Sequence, residues 1–310
     1  MTQQFKQVFV ILALFSILVL ANCSTINQQS TVTSTASPIK TTLTLANTLP
    51  SATNTPDIET VIFEESVSPN GEWIAVVSLT TTNTTKDLLF TVSNNQTNQK
   101  WIVEQTDVSE IKPSSPTGFI YPYVFKWSQD NNHLYYSHLS TGGDGCFGLR
   151  RPGGLDLKRF DLSRGNMVAI QKSGGTWMAL SPDETILAYA SGWNGGITIL
   201  EVEKGKELIL SLPQIKNEQN MITATSYLYW APDGKTLIYS HMVGVCDIKI
   251  WYSYIIQINP ENGRQTVLVD HDDRGFIPVE WNSQDKILLI DNDNINWWLN
   301  PSTQEITSAD

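Results

Sequence analysis

A turn motif that recurs five times constrains the fold of this chain more than any other feature. In each copy an apolar run leads into a tight turn of Ser-Pro-Asp-Gly type, and a second apolar run follows. Pro presets φ early in such a turn, and Gly supplies the positive φ that ends it. The flanking runs are rich in Val, Ile, Leu, Tyr and Trp, so each copy predicts a β-hairpin. The turns are centred on Pro69, Gln129, Pro182, Pro232 and Ser283, which are 50 to 60 residues apart.

A second polar turn lies inside every repeat and separates two further apolar runs. Four strands in each repeat of about 50 residues are typical of a propeller blade. The sequence therefore predicts an all-β fold, a β-propeller of about five four-stranded blades over residues 58–310, with six blades as the alternative count. The second turns are residues 94–98, 162–165, 203–205, 259–263 and 300–303.

The best-preserved copy of the motif, residues 230–239, reads WAPDGKTLIY. This string resembles the repeat of TolB-type β-propellers, which also occurs in the non-catalytic propellers of some prolyl peptidases. Family propellers usually have six to eight blades, so five blades would be a departure. The resemblance implies an architecture more than an activity, because a propeller is a platform whose function lies in its loops.

The first 22 residues are typical of an export signal. Residues 8–21 are apolar or small apart from Ser16, a run that is short for a membrane span and suits a signal peptide. The run ends at LANC, residues 20–23, which resembles the lipobox of bacterial lipoproteins except at Asn22. The resemblance implies that Cys23 is lipidated and becomes the first residue of the mature chain. The alternative is an ordinary signal peptide or an uncleaved anchor with Cys23 incidental.

Residues 23–57 are predicted to be a disordered tether. Fifteen of the 34 residues from 24 to 57 are Ser or Thr, and such a segment buries too little apolar area to offset chain entropy. We therefore expect an extracytoplasmic domain held at the cell envelope or outer membrane by its lipid anchor alone. The net charge of −11 and the lack of a basic block exclude nucleic acid as a partner.

Two loops depart from the repeat in length. The loop between the second and third strands of a blade, the B–C loop, is longest in blade 2 (139–154) and extended in blade 4 (242–247). Long loops on a rigid scaffold usually carry binding residues, so we expect a binding face opposite the Ser-Pro-Asp-Gly turns. The candidate residues of this face are His138, Asp144, Arg150, Arg151, Trp193, His241 and Asp247.

The same residues also have structural interpretations. His138 and His241 occupy the same register position and each could simply end a strand. Trp193 could stack on a sugar or peptide or could pack in the core. The Arg150–Arg151 pair could bind an anion or could be solvated.

Two cysteines, Cys146 and Cys246, lie in the two long loops. Export to an oxidising compartment favours a disulfide between them. Two other arrangements are open: a pair of free thiols, or a zinc site with His138 and His241. The spacing matches no zinc ribbon, and we predict neither a metal nor another cofactor.

No known catalytic motif occurs in the sequence, which contains no Gly-x-Ser-x-Gly elbow, no phosphate-binding Gly-rich loop and no His-Glu-x-x-His. We therefore expect a non-enzymatic monomer that binds an envelope protein, a peptide or a glycan through the loop face. The alternative is a glycoside hydrolase or lyase with carboxylates from separate blades in the central channel.

Overall fold

The computed structural model describes residues 58–109, 120–140, 155–172, 177–190, 196–213, 223–244 and 250–309. Within these ranges the chain forms strands and turns and no helix, hence no helix that could span a membrane. The strands make five antiparallel sheets of four, and strands adjacent in sequence are neighbours in each sheet. The predicted all-β propeller of five four-stranded blades is confirmed.

The five sheets are blades 1 to 5 in chain order. Blade 1 consists of β1 (Glu59–Val67), β2 (Trp73–Thr81), β3 (Lys86–Asn94) and β4 (Lys100–Asp107). Blade 2 consists of β5 (Ile120–Trp127), β6 (His133–Ser140), β7 (Leu157–Asp161) and β8 (Met167–Gln171). Blade 3 consists of β9 (Trp177–Leu180), β10 (Ile186–Ala190), β11 (Gly196–Glu201) and β12 (Lys206–Ser211). Blade 4 consists of β13 (Thr223–Trp230), β14 (Leu237–Val243), β15 (Tyr252–Ile258) and β16 (Gln265–Asp272). Blade 5 consists of β17 (Ile277–Trp281), β18 (Ile287–Ile290), β19 (Asn296–Leu299) and β20 (Ile306–Ser308).

The Ser-Pro-Asp-Gly turns join the first and second strands of every blade, as predicted. In blade 1 the amide of Gly71 donates to the carbonyl of Ser68 (2.8 Å), and the hydroxyl of Ser68 donates to Asn70 (2.7 Å). The same hydroxyl accepts the amide of Trp73 (2.9 Å), so one serine satisfies both ends of the turn. Blades 2 and 3 repeat these side-chain bonds with Ser128 and Ser181.

The last residue of this turn has positive φ in all five blades. Gly71 and Gly234 meet the requirement without strain, because glycine has no Cβ. In blade 3 the position is occupied by Glu184, with a φ of 64°. Its carboxylate accepts the backbone amide of Gln129 (2.9 Å) and the hydroxyl of Tyr135 (3.2 Å), both in blade 2. At this turn, hydrogen bonds to the preceding blade therefore offset the backbone strain that glycine would avoid.

The turns between third and fourth strands also contact the preceding blade. A Cβ on Gly165 would lie 2.6 Å from the indole of Trp101 in blade 1, and a Cβ on Gly263 would lie 2.8 Å from Leu210 in blade 3. The indole nitrogen of Trp101 donates to the carbonyl of Leu162 (3.1 Å). Both types of turn thus lie on one side of the sheets, which we call the turn face. The B–C loops lie on the opposite side, the loop face.

Apolar faces of successive blades pack against each other and form the core. Every residue of β14 is buried, because blades 3 and 5 cover the two faces of blade 4. Tryptophans at the ends of first strands cross these interfaces. The indole of Trp127 donates to the hydroxyl of Ser66 (2.9 Å), and that of Trp230 donates to the carbonyl of Ala179 (2.9 Å).

Blades 1 and 5 each keep one face that is only partly buried. Residues of β2 and β18 alternate between buried and less buried, in contrast to β14. Val67, at the position of Trp127 and Trp230, is 50% exposed. The buried clusters of the described residues join blades 1 to 2, 2 to 3, 3 to 4 and 4 to 5. Among the described residues, the first and last blades are therefore buried on one face, whereas the middle blades are buried on both.

The substitution Glu184→Gly tests whether contact between blades outweighs strain at the turn. Glycine relieves a positive φ worth about 1 kcal/mol but removes hydrogen bonds to a charged group worth about 1.5–3 kcal/mol each. We expect a lower melting temperature in thermal unfolding followed by circular dichroism. Glu184→Ala, which removes the bonds and keeps the strain, should be less stable still. A Glu184→Gly variant more stable than wild type would show that strain dominates.

Candidate functional site

Of the predicted binding-face residues, the structure describes His138 and His241. The remaining predicted site residues lie outside the described ranges, as do the signal peptide of residues 1–22 and the tether of residues 23–57. They are Cys23, Asp144, Cys146, Arg150, Arg151, Trp193, Cys246 and Asp247. The lipid anchor, the disulfide and these contacts therefore stay predictions.

His138 lies near the end of β6, where the long B–C loop of blade 2 begins. Its Nε2 donates to Glu104 in β4 of blade 1 (2.8 Å), and its Nδ1 donates to Asp156 at the far end of the loop (2.9 Å). Lys158 in β7 donates to Glu104 (2.6 Å), and the hydroxyl of Tyr136 donates to the same carboxylate (2.8 Å). We call His138, Glu104, Asp156 and Lys158 the His138 clasp.

The clasp also fixes both ends of the blade 2 loop. The backbone amide of His138 donates to the Asp156 carboxylate (3.1 Å), and the amide of Leu155 donates to the carbonyl of His138 (2.9 Å). The hydroxyl of Ser137 donates to the backbone carbonyl of Asp156. Residues 137–138 and 155–156, on either side of the loop, are thus held beside each other and against blade 1.

The electrostatics of the clasp favour its fully ionised state. Burial alone would raise the pKa of Glu104, but hydrogen bonds from His138 and Lys158 lower it to about 2. Burial alone would lower the pKa of His138, but hydrogen bonds to Asp156 and Glu104 raise it to about 9. The pKa of Asp156 is lowered too, because the charged imidazole outweighs the effect of burial. At neutral pH the clasp therefore consists of two cations and two anions.

His241 occupies the same register position in blade 4 but has a different environment. It is 3% exposed, and its Nδ1 is hydrogen-bonded to the hydroxyl of Thr225 (3.1 Å). The Tyr254 ring lies 6.2 Å away between centroids. Burial lowers the pKa of His241 to about 4, so the ring is neutral at pH 7. The structure thus places one of the paired histidines at the loop face and the other in the core.

Sequence reasoning passed over one exposed aromatic residue on the loop face. Trp251, directly after the blade 4 loop, is 53% exposed. It also missed Glu104, Asp156 and Lys158, the other members of the His138 clasp. Asp156 and Lys158 gave a local signal, since charged residues close to a loop end are typical of a salt-bridged loop base.

Two clefts of the described residues lie on the turn face. One of about 740 Å³ lies between the second turns of blades 3 and 4, with Glu201, Lys206 and Pro260 in its wall. The other, of about 530 Å³, lies between blades 4 and 5, with Pro232 and Trp281 in its wall. Within the ranges the structure describes, no group of three or more His, Cys, Asp or Glu side chains is placed to hold a metal ion.

No protein-family model matches the chain, and no curated protein matches it significantly. Solved structures that align with it include β-propeller proteins. An oligogalacturonate lyase in complex with manganese is 12% identical, with a TM-score of 0.47 over 79% of this chain and 63% of that one. Periplasmic gluconolactonase PpgL of Pseudomonas aeruginosa is 12% identical, with a TM-score of 0.46 over 79% and 68%. TolB of Acinetobacter baumannii is 14% identical, with a TM-score of 0.39 over 79% and 53%.

These likenesses extend only to the fold. The chain spans less than two thirds of the lyase and about half of TolB. TolB is among the structures with which the chain aligns. Because the sequence contains no known catalytic motif, we expected a protein that is not an enzyme. This expectation is wrong, because the aligned structures include a lyase and a lactonase. The comparison assigns no activity to this chain.

The pKa values of the two in-register histidines, His138 and His241, should be shifted in opposite directions. The pKa of His138 is raised to about 9 from an ordinary 6.5, so its stabilising effect is complete below pH 6.5 and is lost as pH rises towards 9. The pKa of His241 is lowered to about 4, so its burial costs stability as pH falls from 6.5 towards 4. NMR titration of the imidazole resonances, assigned with His138→Gln and His241→Gln, measures both values. Two ordinary values near 6.5 would contradict the clasp and the burial.

Proposed function

We propose that this chain is an extracytoplasmic β-propeller, anchored by lipidated Cys23, that binds an envelope protein, a peptide or a glycan through the loop face. A disulfide between Cys146 and Cys246 would join the two long loops of that face. Support for export and anchoring comes from the apolar run of residues 8–21 and the cysteine that follows it.

The observation that carries the proposal is the His138 clasp. A loop of this length loses conformational entropy when it binds a ligand, and that loss weakens binding. The clasp reduces the loss beforehand, because it holds both ends of the blade 2 loop against blade 1. A charged network of this kind at the base of the longest loop favours presentation of that loop as a preorganised surface.

The clasp is less suited to acid–base chemistry. Glu104 and Asp156 contact opposite nitrogens of one imidazole ring, an arrangement of two carboxylates that invites comparison with a glycoside hydrolase. An efficient catalytic group has a pKa near the working pH. The pKa of Glu104 is about 2 and that of His138 about 9, so neither group exchanges its proton readily at pH 7.

The strand β6 offers a matched pair of variants for the test. His138 lies near its loop-face end and His133 begins it at the turn face, where His133 lies 4.0 Å from Asp130. Full-length protein in detergent micelles is immobilised and exposed to native cell envelopes of the producing organism. We expect His138→Ala to reduce capture about tenfold and His133→Ala to change it less than about twofold.

Treatment of the envelopes separates the ligand classes. Protease digestion should abolish capture of a protein or peptide, whereas periodate oxidation should abolish capture of a glycan. A second variant in which a Gly-Ser linker replaces residues 141–154 keeps the test decisive if His138→Ala unfolds. Equal capture by wild type, His138→Ala and the linker variant would overturn the proposal. Release of shortened glycans would identify turnover in place of simple binding.

A further inference from the structure

Trp251 on the loop face is both exposed and rigidly held. Its backbone amide donates to the carbonyl of Val243 (2.9 Å), across the base of the blade 4 loop. A Cβ on Gly244 would lie 2.4 Å from Cγ of Trp251, and Gly244 has a φ of +82°. The indole therefore lies on the backbone of Gly244, and no residue with a side chain fits there. An exposed aromatic ring with so little freedom loses little entropy when a ligand stacks on it.

The B–C loop of blade 5 is hydrogen-bonded to the residue that precedes Trp251. Asn292 accepts the backbone amide of Ile250 (3.3 Å) and donates to the carbonyl of the same residue, which directly precedes Trp251. The amide of Asn292 donates to the carbonyl of Arg274 (3.0 Å). Its side chain lies on Gly275, where a Cβ would be 2.3 Å from Nδ2. The blade 5 loop is thus hydrogen-bonded to residue 250, at the end of the blade 4 loop.

A buried carboxylate fixes the rest of the blade 5 loop. Asp291 accepts the backbone amides of Asp293 (2.9 Å) and Ile295 (2.9 Å) and the indole nitrogen of Trp297 (2.8 Å). With the backbone held in this way, Asp293 and Asn294 are exposed to solvent. Asp293 and Asn294 directly follow Asn292, which is hydrogen-bonded to the residue before Trp251. We call Trp251, Asp293 and Asn294 the Trp251 corner.

We propose that the Trp251 corner is a subsite for a neutral sugar ring of a glycan. This inference rests on the proposed function and names the ligand class of the loop face. The apolar face of a pyranose stacks on an indole, and its vicinal hydroxyls donate to a carboxylate or an amide oxygen beside the ring. Trp251 supplies the indole, Asp293 the carboxylate and Asn294 the amide.

The charges of the corner disfavour an acidic sugar. Asp291 and Asp293 lie in the same short loop and would repel a uronate. The nearby Arg274 accepts the backbone amide of Asn292 through its carbonyl. Its guanidinium is already paired, because it makes two hydrogen bonds to Asp272 (2.9 and 2.7 Å) and lies 4.4 Å from the Phe276 ring centroid. Among the residues that the structure describes, the corner therefore presents acceptors for hydroxyl groups and no unpaired cation for a carboxylate.

Calorimetry with defined oligosaccharides tests the inference. The full-length protein in detergent micelles is titrated with cellohexaose, maltohexaose and chitohexaose, and with hexagalacturonate as the acidic probe. We expect at least one neutral hexasaccharide to bind and the acidic one to bind more weakly. Trp251→Ala should weaken the neutral ligand about tenfold, and Trp251→Phe, which keeps an aromatic face, about threefold or less.

Ile209→Ala is the matched control, because Ile209 is an exposed apolar residue in the outer strand of blade 3, 72% exposed, and should leave affinity unchanged. Neutral binding that survives Trp251→Ala, or tighter binding of hexagalacturonate, would overturn the inference. A proline-rich decapeptide is titrated in the same way. If its binding is weakened by Trp251→Ala and no sugar shows that dependence, the ligand of the corner is not a glycan. Failure of every sugar while envelope capture still depends on His138 would overturn the subsite and leave the proposed function standing.

Discussion

Burial of apolar sheet faces between successive blades is the constraint on which the rest of this structure depends. A sheet of this size cannot bury its own apolar side chains, so each blade relies on the next for its core. Blade 4 shows the result, since all of β14 is buried between its neighbours. In blades 1 and 5, one face is less buried by the described residues: Val67 is half exposed, whereas Trp127 and Trp230 at the same position are buried.

This constraint divides the molecule into a regular side and a variable side. On the turn face, the contacts between blades restrict what each turn can be: Glu184 reaches into blade 2, and Gly165 leaves room for Trp101. The B–C loops on the other side differ in length from blade to blade. The His138 clasp and the Trp251 corner are built on that side.

Much of the fold could be predicted from the sequence because its signals are local. The Ser-Pro-Asp-Gly turns and the apolar runs beside them fix the strands and their order. The partners of His138 could not be predicted in the same way, since Glu104 lies in another blade and 34 residues away in the chain. Likewise, His138 and His241 share a register position, but only the surrounding carboxylates or aromatic rings decide which of them is charged. Trp251 stands out only once the backbone of Gly244 is known.

Hydrogen–deuterium exchange of the full-length protein, with and without bound envelope ligand, tests the central claim that the loop face is the binding surface. The account predicts slower exchange at residues 136–140, 155–158, 250–252 and 291–295, with no change at the Ser-Pro-Asp-Gly turns. Protection confined to the turn face, around the clefts beside Pro232 and Pro260, would contradict it.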